Sequence, residues 1–302
     1  MDTWSAVEVA DWIAQDGDLP SEPLGTKEKF WVSDPQRQQW LFKFARDPDG
    51  RVRGEDWAEC LVHELAILIH VPTATVQIAT CDGRRGVLSR SVVGPDQRLE
   101  HGNELLARAN PTYDRAERRE NPGYTISAVK ASLEGVGPPD GRDDLREFSG
   151  FDVWCAYLLL DAWVAGRDRH HENWAVIADI GRFQLAPSFD HGNALGFQER
   201  ESRYVELANE TARLTAWARR GRSPHFAGRP RLVELAHSAL EQANSQARQF
   251  WLENLARPTE DEIAAAVSRV PEALLSEAGR NFCLQLLAVN RERVLHGDQD
   301  FA

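Results

Sequence analysis

The chain has 302 residues, of which 42% are hydrophobic and 27% are charged. This hydrophobic share is typical of globular proteins and excludes a chain that is disordered over its whole length. The formal net charge of −12 argues against broad direct contact with nucleic-acid phosphates or with an anionic membrane surface. A chain of this length can bury a large core, so one two-lobed domain and two small domains are both compatible with it.

The cysteines and the N-terminus bear on the cellular compartment. The cysteines are Cys60, Cys81, Cys155 and Cys283. None pairs at metal-ligand spacing, and three lie in apolar patterns, so we expect reduced, mostly buried thiols in a cytosolic protein. The N-terminal residues carry no basic segment followed by an apolar segment, and no secretion signal is predicted. The longest apolar stretch, residues 153–160, is too short to span a bilayer, so we expect a cytoplasmic protein without a membrane partner.

Residues 1–92 alternate between strand-like and helical patterns. A capping-box pattern opens a predicted short helix at residues 5–15. The other predicted elements are strands at 29–32 and 39–44, a helix at 55–69, and a hairpin with strands at 75–80 and 85–92. This order predicts a small lobe that is rich in β-structure.

After Gly94 and Pro95 the pattern becomes mostly helical. Helices are predicted at 101–108, 125–133 and 142–164, and nearly everything from about residue 205 onwards reads as helix. Between them lies one hairpin, with strands at 174–177 and 182–185. A smaller β-rich half followed by a larger helical half predicts an α+β, two-lobed, protein-kinase-like fold. We expect a nucleotide-binding N-lobe at residues 1–92 and a C-lobe at residues 93–302.

Three oxygen-bearing side chains surround the second hairpin. Asp168 and Asn173 precede its first strand, and Asp190 follows its second strand. Because an antiparallel pair folds back on itself, Asn173 and Asp190 should leave the hairpin from the same end, next to the loop that carries Asp168. Phosphoryl transfer from a magnesium–nucleotide complex needs these groups, since one carboxylate orients the attacking hydroxyl while an amide oxygen and a second carboxylate hold the metal. The combined spacing favours such a site over ordinary loop and capping roles.

The same chemistry requires a cation in the N-terminal half. Lys43 is the one charge inside an apolar strand, and buried lysines are rare without a partner. The helix that follows offers Glu55, Glu59 and Glu64, and we favour Glu59 because it lies centrally beside the apolar stripe. The alternative is a lysine on an edge strand, with glutamates that are merely solvated.

Two further segments complete the predicted nucleotide site. Gly25 and Thr26 lie before the first strand of the lobe, where a loop covering the phosphates is expected, although one glycine fits an ordinary turn equally well. Ser89 and Arg90 lie near the end of the first hairpin, where a hinge would read the adenine through its backbone groups. The hinge assignment depends on the layout of the elements alone.

With these motifs the chain resembles the HipA-like serine/threonine kinases, whose wider relatives include the phosphatidylinositol kinases. The resemblance covers roughly residues 24–200 and rests on the strand of Lys43, the helix of Glu59, the strand ending at Arg90, the loop Asp-Arg-His-His-Glu-Asn at residues 168–173, and the segment Leu-Ala-Pro-Ser-Phe-Asp at residues 185–190.

The resemblance implies a role for each matching residue. Lys43 would contact the nucleotide phosphates, and Glu59 would position Lys43. Asp168 would be the catalytic carboxylate, with His170 in the same loop aiding either transfer or loop structure. Asn173 and Asp190 would bind Mg²⁺. The resemblance also implies ATP as the nucleotide, serine or threonine of an unidentified protein as the acceptor, and an antitoxin as a candidate partner of a toxin kinase.

The chain departs from the HipA pattern at three places, one of which is Asp190-His-Gly where the family has a more apolar metal-loop sequence. About 20 residues precede the predicted phosphate loop, so we expect the N-terminal subdomain that HipA toxins often carry to be missing or to belong to another chain. Glu172 stands where a lysine is usual before the loop asparagine, which leaves phosphate contact at this position open.

Three other functions stay open at this point. A pseudokinase would bind nucleotide or a partner without turnover, and a kinase with the same loop could use a lipid acceptor. A metal-dependent hydrolase would draw its ligands from Asp168, His170, His171, Glu172, Asp190 and His191. Because consecutive residues of an extended chain point in alternate directions, those side chains should not all converge.

Overall fold

The structure is a computed structural model that describes residues 3–12 and 28–297. Its first part holds a five-stranded sheet in the order β1-β4-β5-β3-β2. The strands are β1 (Val7–Glu8), β2 (Lys29–Ser33), β3 (Gln39–Phe44), β4 (Val76–Cys81) and β5 (Arg84–Arg90). Strand β1 pairs in parallel with β4, and the other neighbours are antiparallel. Strand β3 therefore lies inside the sheet, with β5 on one side and β2 on the other.

The predicted N-terminal helix is wrong over its first turn. Val7 and Glu8 form strand β1, in register with Ala79 and Thr80, and within the described part of the chain helical backbone begins only at residue 10. The Glu8 carboxylate accepts hydrogen bonds from the Ala10 backbone N–H and from the Thr80 hydroxyl. Pairing with a sheet edge supplied by residues far along the chain therefore replaces the local capping box. The remainder of the predicted helix, residues 13–15, lies outside the described residues.

Helix α1 (Glu55–Leu68) packs its apolar side against β4 and β5. Trp57, Leu61 and Leu65 are fully buried, as the predicted spacing of three to four residues requires. The opposite side of the sheet buries a second, smaller cluster that includes Phe42 and Leu88. Phe42 of β3 belongs to this second cluster, whereas the next residue, Lys43, points to the helix side of the sheet, where its ammonium lies 3.7 Å from the Glu59 carboxylate of α1.

The second part of the chain combines a three-stranded sheet with helices. Its strands are β6 (Arg98–His101), β7 (Ala175–Asp179) and β8 (Arg182–Leu185), all antiparallel. Its helices are α2 (Gly102–Ala109), α3 (Ile126–Ser132), α4 (Gly150–Val164), α5 (Glu201–Asn209), α6 (Thr211–Arg219), α7 (Leu232–Gln242), α8 (Ser245–Ala256), α9 (Glu260–Ser268) and α10 (Glu277–His296). The α+β organisation predicted from the sequence, with a β-rich first part and a mostly helical second part, is confirmed. In the described part of the chain, no helix is long and apolar enough to cross a membrane.

The predicted helix at 142–164 is divided in the structure. A short 3₁₀ turn, Asp143–Leu145, comes first, and α4 begins only after Ser149. The Ser149 hydroxyl accepts a hydrogen bond from the Asp152 backbone N–H, and the Asp152 carboxylate accepts one from the Ser149 backbone N–H, which makes a complete capping box. The cap satisfies backbone donors at the new helix start, so the two helical segments remain separate.

Every residue of α4 is buried, and the helix lies within the largest apolar cluster of the molecule. Its end is fixed by Ala165, whose φ of 55° lies in the left-handed region, and by a hydrogen bond from the Gly166 N–H to the Asp161 carbonyl. The chain therefore leaves a rigid helix at a defined angle immediately before residue 168.

The two sheets are joined by residues 91–97 and by contacts from α1. Thr73, just beyond α1, forms a parallel bridge with Ser188, and the Ala74 N–H donates to the Ser188 carbonyl. A Cβ on Gly192 would lie only 3.0 Å from the Glu55 carbonyl oxygen, so the chain after Asp190 runs directly against α1. Strands β1 to β5 belong to the five-stranded sheet, and strands β6 to β8 belong to the three-stranded sheet. We therefore propose that one lobe comprises residues 1–92 and the other comprises residues 93–302.

Candidate functional site

Strand β3 and helix α1 bring a lysine and a glutamate together in the first lobe. Lys43 is 7% exposed and Glu59 is 1% exposed. The Lys43 Nζ lies 3.7 Å from Glu59 Oε1 and 3.3 Å from Asp190 Oδ1. One ammonium group thus contacts one carboxylate from its own lobe and one from the segment after β8.

The charge of Lys43 is maintained by these two carboxylates. Burial on its own would lower the pKa of the lysine, because an enclosed ammonium loses its hydration. The negative charges of Asp190 and Glu59 outweigh that effect, and the net result is a raised pKa for Lys43. The residue therefore presents a permanent cation at the base of the cleft between the lobes.

Arg169 anchors the loop at residues 168–173 to helix α4. Its guanidinium makes two hydrogen bonds to the Asp161 carboxylate on α4, of 2.8 and 2.9 Å, and Nη1 donates to the Asn173 carbonyl at 2.7 Å. Arg169 is 5% exposed and Asp161 is 6% exposed. Planar, two-point pairing of this kind fixes orientation as well as distance. The fully buried helix α4 therefore determines where the loop can present its other side chains.

Asp168 faces a histidine from a distant loop. The His225 Nε2 lies 3.0 Å from Asp168 Oδ1, with the Asp168 side chain 40% exposed and that of His225 6% exposed. Burial acts to raise the pKa of Asp168, as does the nearby charge of Asp190, but the hydrogen bond from His225 and the electrostatic effect of the neighbouring histidines prevail and lower it. Asp168 is therefore a carboxylate at neutral pH, open to solvent on one side.

Asn173 and Asp190 supply oxygen atoms beside the same cleft. The Asn173 amide nitrogen donates to the Asp168 carbonyl at 2.7 Å, which leaves the amide oxygen as the atom that could bind a metal. Asp190 has a φ of 61°, a left-handed conformation that is uncommon outside glycine and that Asp and Asn tolerate best. One amide oxygen and one carboxylate are hard ligands that suit Mg²⁺, which keeps several of its own waters.

A cavity of about 340 Å³ opens between the lobes above these residues. Its apolar lining includes Trp31, Leu41, Val92, Val93, Leu99 and Phe189. Its polar lining includes Lys43, Ser89, Arg90, His170, Asn173 and Asp190. The apolar side chains suit a flat heteroaromatic ring and the charged side chains suit phosphates and a metal ion, so the residues present fit a magnesium–nucleotide complex.

The predicted hinge residues line this cavity from β5. Ser89 is 7% exposed and lies opposite Leu41 in β3, while Arg90 closes the strand and donates a hydrogen bond to the Gln38 side chain. The connection between the sheets begins after Arg90, and its Val92 and Val93 contribute apolar surface to the cavity. Gly25 and Thr26, the predicted phosphate loop, lie outside the described residues.

The histidines near the loop point in different directions. His170 lines the cavity, whereas His171 is 1% exposed and its Nδ1 lies 2.6 Å from the Tyr113 hydroxyl. His191 is buried, with Nδ1 3.4 Å from an Arg169 nitrogen. Burial lowers the pKa of His170 and of His171 to about 4. No group of three or more His, Cys, Asp or Glu within residues 3–12 and 28–297 is arranged to hold a metal ion, so the six residues of the hydrolase hypothesis do not form such a centre.

Sequence reasoning missed the roles of His225, Arg118 and Asp161 in shaping the site. His225 lies in residues 220–231, where nearly continuous helix was predicted and where Gly221, Pro224 and Pro230 interrupt it. Arg118 lines the cavity and forms an ion pair with Glu172. Arg169 belongs to the recognised loop, but its buried partner on α4 was not identified. The two prolines and the glycine are the sequence signal that could have indicated this loop. No pattern in the neighbouring residues indicates that the loop contacts Asp168.

Comparison with solved structures defines the class of fold. A search against protein-family models found no match, and a search of curated proteins found none either. Solved structures do match over nearly the whole chain, and they include a kinase and the toxin HipA. The protein therefore has a protein-kinase-like fold, of the variety seen in HipA-like kinases.

Two of these structures can be compared in detail. The proinflammatory kinase CtkA of Helicobacter pylori has a TM-score of 0.72 and 14% sequence identity, over 97% of this chain and 96% of its own. The toxin HipA of Shewanella oneidensis, solved with HipB and operator DNA, has a TM-score of 0.57 and 14% identity, over 93% of this chain and 66% of its own. The resemblance to HipA-like kinases stated from the sequence is thus confirmed by the fold.

Proposed function

We propose that this protein is an ATP-dependent phosphotransferase that moves the terminal phosphoryl group of ATP to a serine or threonine hydroxyl of a protein. The observation that carries the proposal is the contact of Lys43 with both Glu59 and Asp190, where Lys43 and Asp190 line the cavity. A structural lysine would need one partner, whereas this one links the two lobes beside the loop that holds Asp168. The kinase-like fold supports the proposal independently.

Different residues of the chain have different roles in phosphoryl transfer. Lys43 holds negative charge at the base of the cleft, and Glu59 keeps the lysine in place. Asp168 orients the acceptor hydroxyl and accepts its proton while the acceptor oxygen forms a bond to phosphorus and the bond to the leaving oxygen breaks. Most of the rate gain in such a site comes from positioning and from fixed charges.

Asn173 and Asp190 would hold Mg²⁺. When bound, Mg²⁺ neutralises the phosphate oxygens, in keeping with the hard-ligand preference of that ion. With its carboxylate 3.3 Å from the Lys43 ammonium, Asp190 lies where it can serve both cations. Arg169 keeps the Asn173 carbonyl fixed from the side of the core.

The related solved structures support a proposal for the acceptor and the partner. HipA was solved with HipB in a toxin–antitoxin complex, and CtkA is described as a proinflammatory kinase. We propose a protein acceptor and, for a toxin kinase, an antitoxin partner. If expression of the wild-type chain stops growth of the host cell and expression of Asp168→Asn does not, the toxin role is supported.

The direct test is transfer of label from γ-labelled ATP with Mg²⁺ to protein in a cell lysate. The labelled residue should be a serine or threonine, identified by mass spectrometry, and omission of Mg²⁺ should abolish labelling. Labelled lipid with unlabelled protein would instead identify a lipid kinase. ATP binding by calorimetry without any labelling would identify a pseudokinase, and loss of both would reject the proposal.

A further inference from the structure

We infer that His225 is a positioning residue for Asp168, which it holds in the orientation that phosphoryl transfer requires. The part of this inference that concerns turnover rests on the proposed function. The part that concerns the protonation and placement of His225 stands on the contacts of the loop alone. His225 touches neither the nucleotide cavity nor the predicted metal ligands, so its effect passes through Asp168.

Both ring nitrogens of His225 face oxygen acceptors. Nε2 lies 3.0 Å from the Asp168 carboxylate, and Nδ1 lies 2.5 Å from the Arg118 carbonyl. A carbonyl oxygen and an ionised carboxylate can only accept hydrogen bonds. A neutral imidazole has one N–H and can satisfy one of them, whereas the imidazolium donates to both. The geometry therefore assigns His225 as the charged form, with a charge-assisted bond to Asp168.

The backbone around His225 prevents the ring from moving away. The Asn121 N–H donates to the His225 carbonyl, and the Glu120 N–H donates to the Pro224 carbonyl. The next residue, Phe226, stacks on Tyr124 with ring centroids 4.0 Å apart. The segment before α3 and the loop before α7 are thus locked together, and His225 is 5% exposed between them.

The hydrogen bond from His225 holds the Asp168 carboxylate in place although that side chain is partly exposed. A carboxylate that is 40% exposed could otherwise rotate toward solvent, and the charge of Asp190 disfavours its ionised form. Other charged or titratable groups nearby are His170, whose ring centroid is 5.3 Å from that of His225, and the Arg118–Glu172 pair. Of these, His225 is the one bonded to the carboxylate itself.

The first experiment compares two substitutions of similar size. His225→Leu removes both donors, and His225→Gln retains an amide N–H that can reach Asp168. In single-turnover transfer, the leucine variant should be slower by about ten- to a hundredfold, as for loss of a positioning contact, and the glutamine variant should recover most of the rate. ATP affinity should stay within a few-fold in both. His237→Leu, on α7 and bonded to the Val294 carbonyl, is the matched control and should transfer at the wild-type rate.

A double-mutant cycle separates action through Asp168 from general damage. In an Asp168→Asn background, His225→Leu should lower transfer by no more than about twofold further, because the group it positions is already altered. Full additivity of the two effects would overturn the inference, and so would a leucine variant that transfers at the wild-type rate.

A second measurement does not depend on turnover. Nitrogen NMR of the full chain labelled at histidine should show both ring nitrogens of His225 protonated at pH 7.5, with the signal assigned by its loss in His225→Gln. A neutral ring would overturn the inference even if His225→Leu fails to fold. An imidazolium signal in a protein that labels no acceptor would support the placement of His225 while rejecting the proposed function.

Discussion

Lys43 shows how a single side chain can serve both lobes. It is enclosed by apolar strands, and its charge persists because Glu59 and Asp190 lie within 3.7 Å and 3.3 Å of the ammonium. Removing the lysine would leave two carboxylates facing each other without a cation, at the position where nucleotide phosphates would enter. The proposed function therefore predicts that a variant without Lys43 binds Mg-ATP more weakly.

Lys43→Met should weaken Mg-ATP binding at least tenfold, which corresponds to about 1.4 kcal/mol. The fold should persist, since methionine fills much of the same volume. Isothermal calorimetry measures the affinity and circular dichroism checks the fold. Lys130→Met, whose native ammonium bonds to the Gln242 carbonyl away from the cavity, should bind ATP normally. Unchanged affinity in Lys43→Met would remove this lysine from the nucleotide site.

Asp168 should separate binding from turnover. Its carboxylate addresses the acceptor hydroxyl, whereas Lys43, Asn173 and Asp190 address the nucleotide. Asp168→Asn should therefore keep ATP affinity within a few-fold and lower phosphoryl transfer by about a hundredfold or more. Titration of ATP and single-turnover labelling measure the two quantities. The exposed Asp47→Asn is the control, and transfer at the wild-type rate by Asp168→Asn would overturn the assignment.

At the scale of elements, the catalytic loop depends on helix α4 through one buried ion pair. Arg169 and Asp161 are both almost fully enclosed, so the loss of either partner leaves an uncompensated charge in the core. Arg169 also donates a hydrogen bond to the carbonyl of Asn173, so the pair connects this helix to a predicted metal ligand. Loss of stability and misplacement of the loop should therefore occur together.

Asp161→Asn should lower the free energy of unfolding by about 3–5 kcal/mol, because Arg169 would stay buried without a carboxylate. Urea unfolding followed by tryptophan fluorescence measures the change. Glu206→Gln, which weakens the partly exposed pairs with Arg203 and Arg213, should shift the urea midpoint far less. Equal midpoint shifts in the two variants would show that burial does not determine the strength of the Arg169 pair.

At the scale of the whole molecule, the fold encloses several histidines in their neutral form. Burial lowers the pKa of His63, lowers that of His191 strongly, and brings those of His170 and His171 to about 4. In the unfolded chain these rings would bind protons near pH 6.5. Between about pH 4 and pH 6.5 the unfolded state therefore binds more protons than the folded state, so the free energy of unfolding rises with pH.

The protein should therefore lose stability as the pH falls from about 6.5 toward 4. The urea midpoint should be lower at pH 5 than at pH 7.5. His171→Gln should reduce this difference, because glutamine does not titrate and can still bond to the Tyr113 hydroxyl. A midpoint that is equal at both pH values would contradict the prediction.

The sequence by itself determined the elements whose signals are local. Helix α1 and strand β3 follow from apolar spacing, and the β7–β8 hairpin follows from two short apolar runs around Asp179 and Gly181. The same local order places Asp168, Asn173 and Asp190 around one hairpin. Periodicity and turn residues act over a few positions, so these features can be predicted without knowledge of distant parts of the chain.

The tertiary structure alone decided which distant residues complete the site. Strands β1 and β6 are short, and each forms because a partner strand from elsewhere offers an edge. His225 meets Asp168 across 57 positions and meets the Arg118 carbonyl across 107. Such bonds exist only once packing has brought their segments together, because the pattern around each residue contains no information about the other. Features of this protein that depend on local propensity could therefore be predicted from the sequence, whereas features that depend on long-range packing could not.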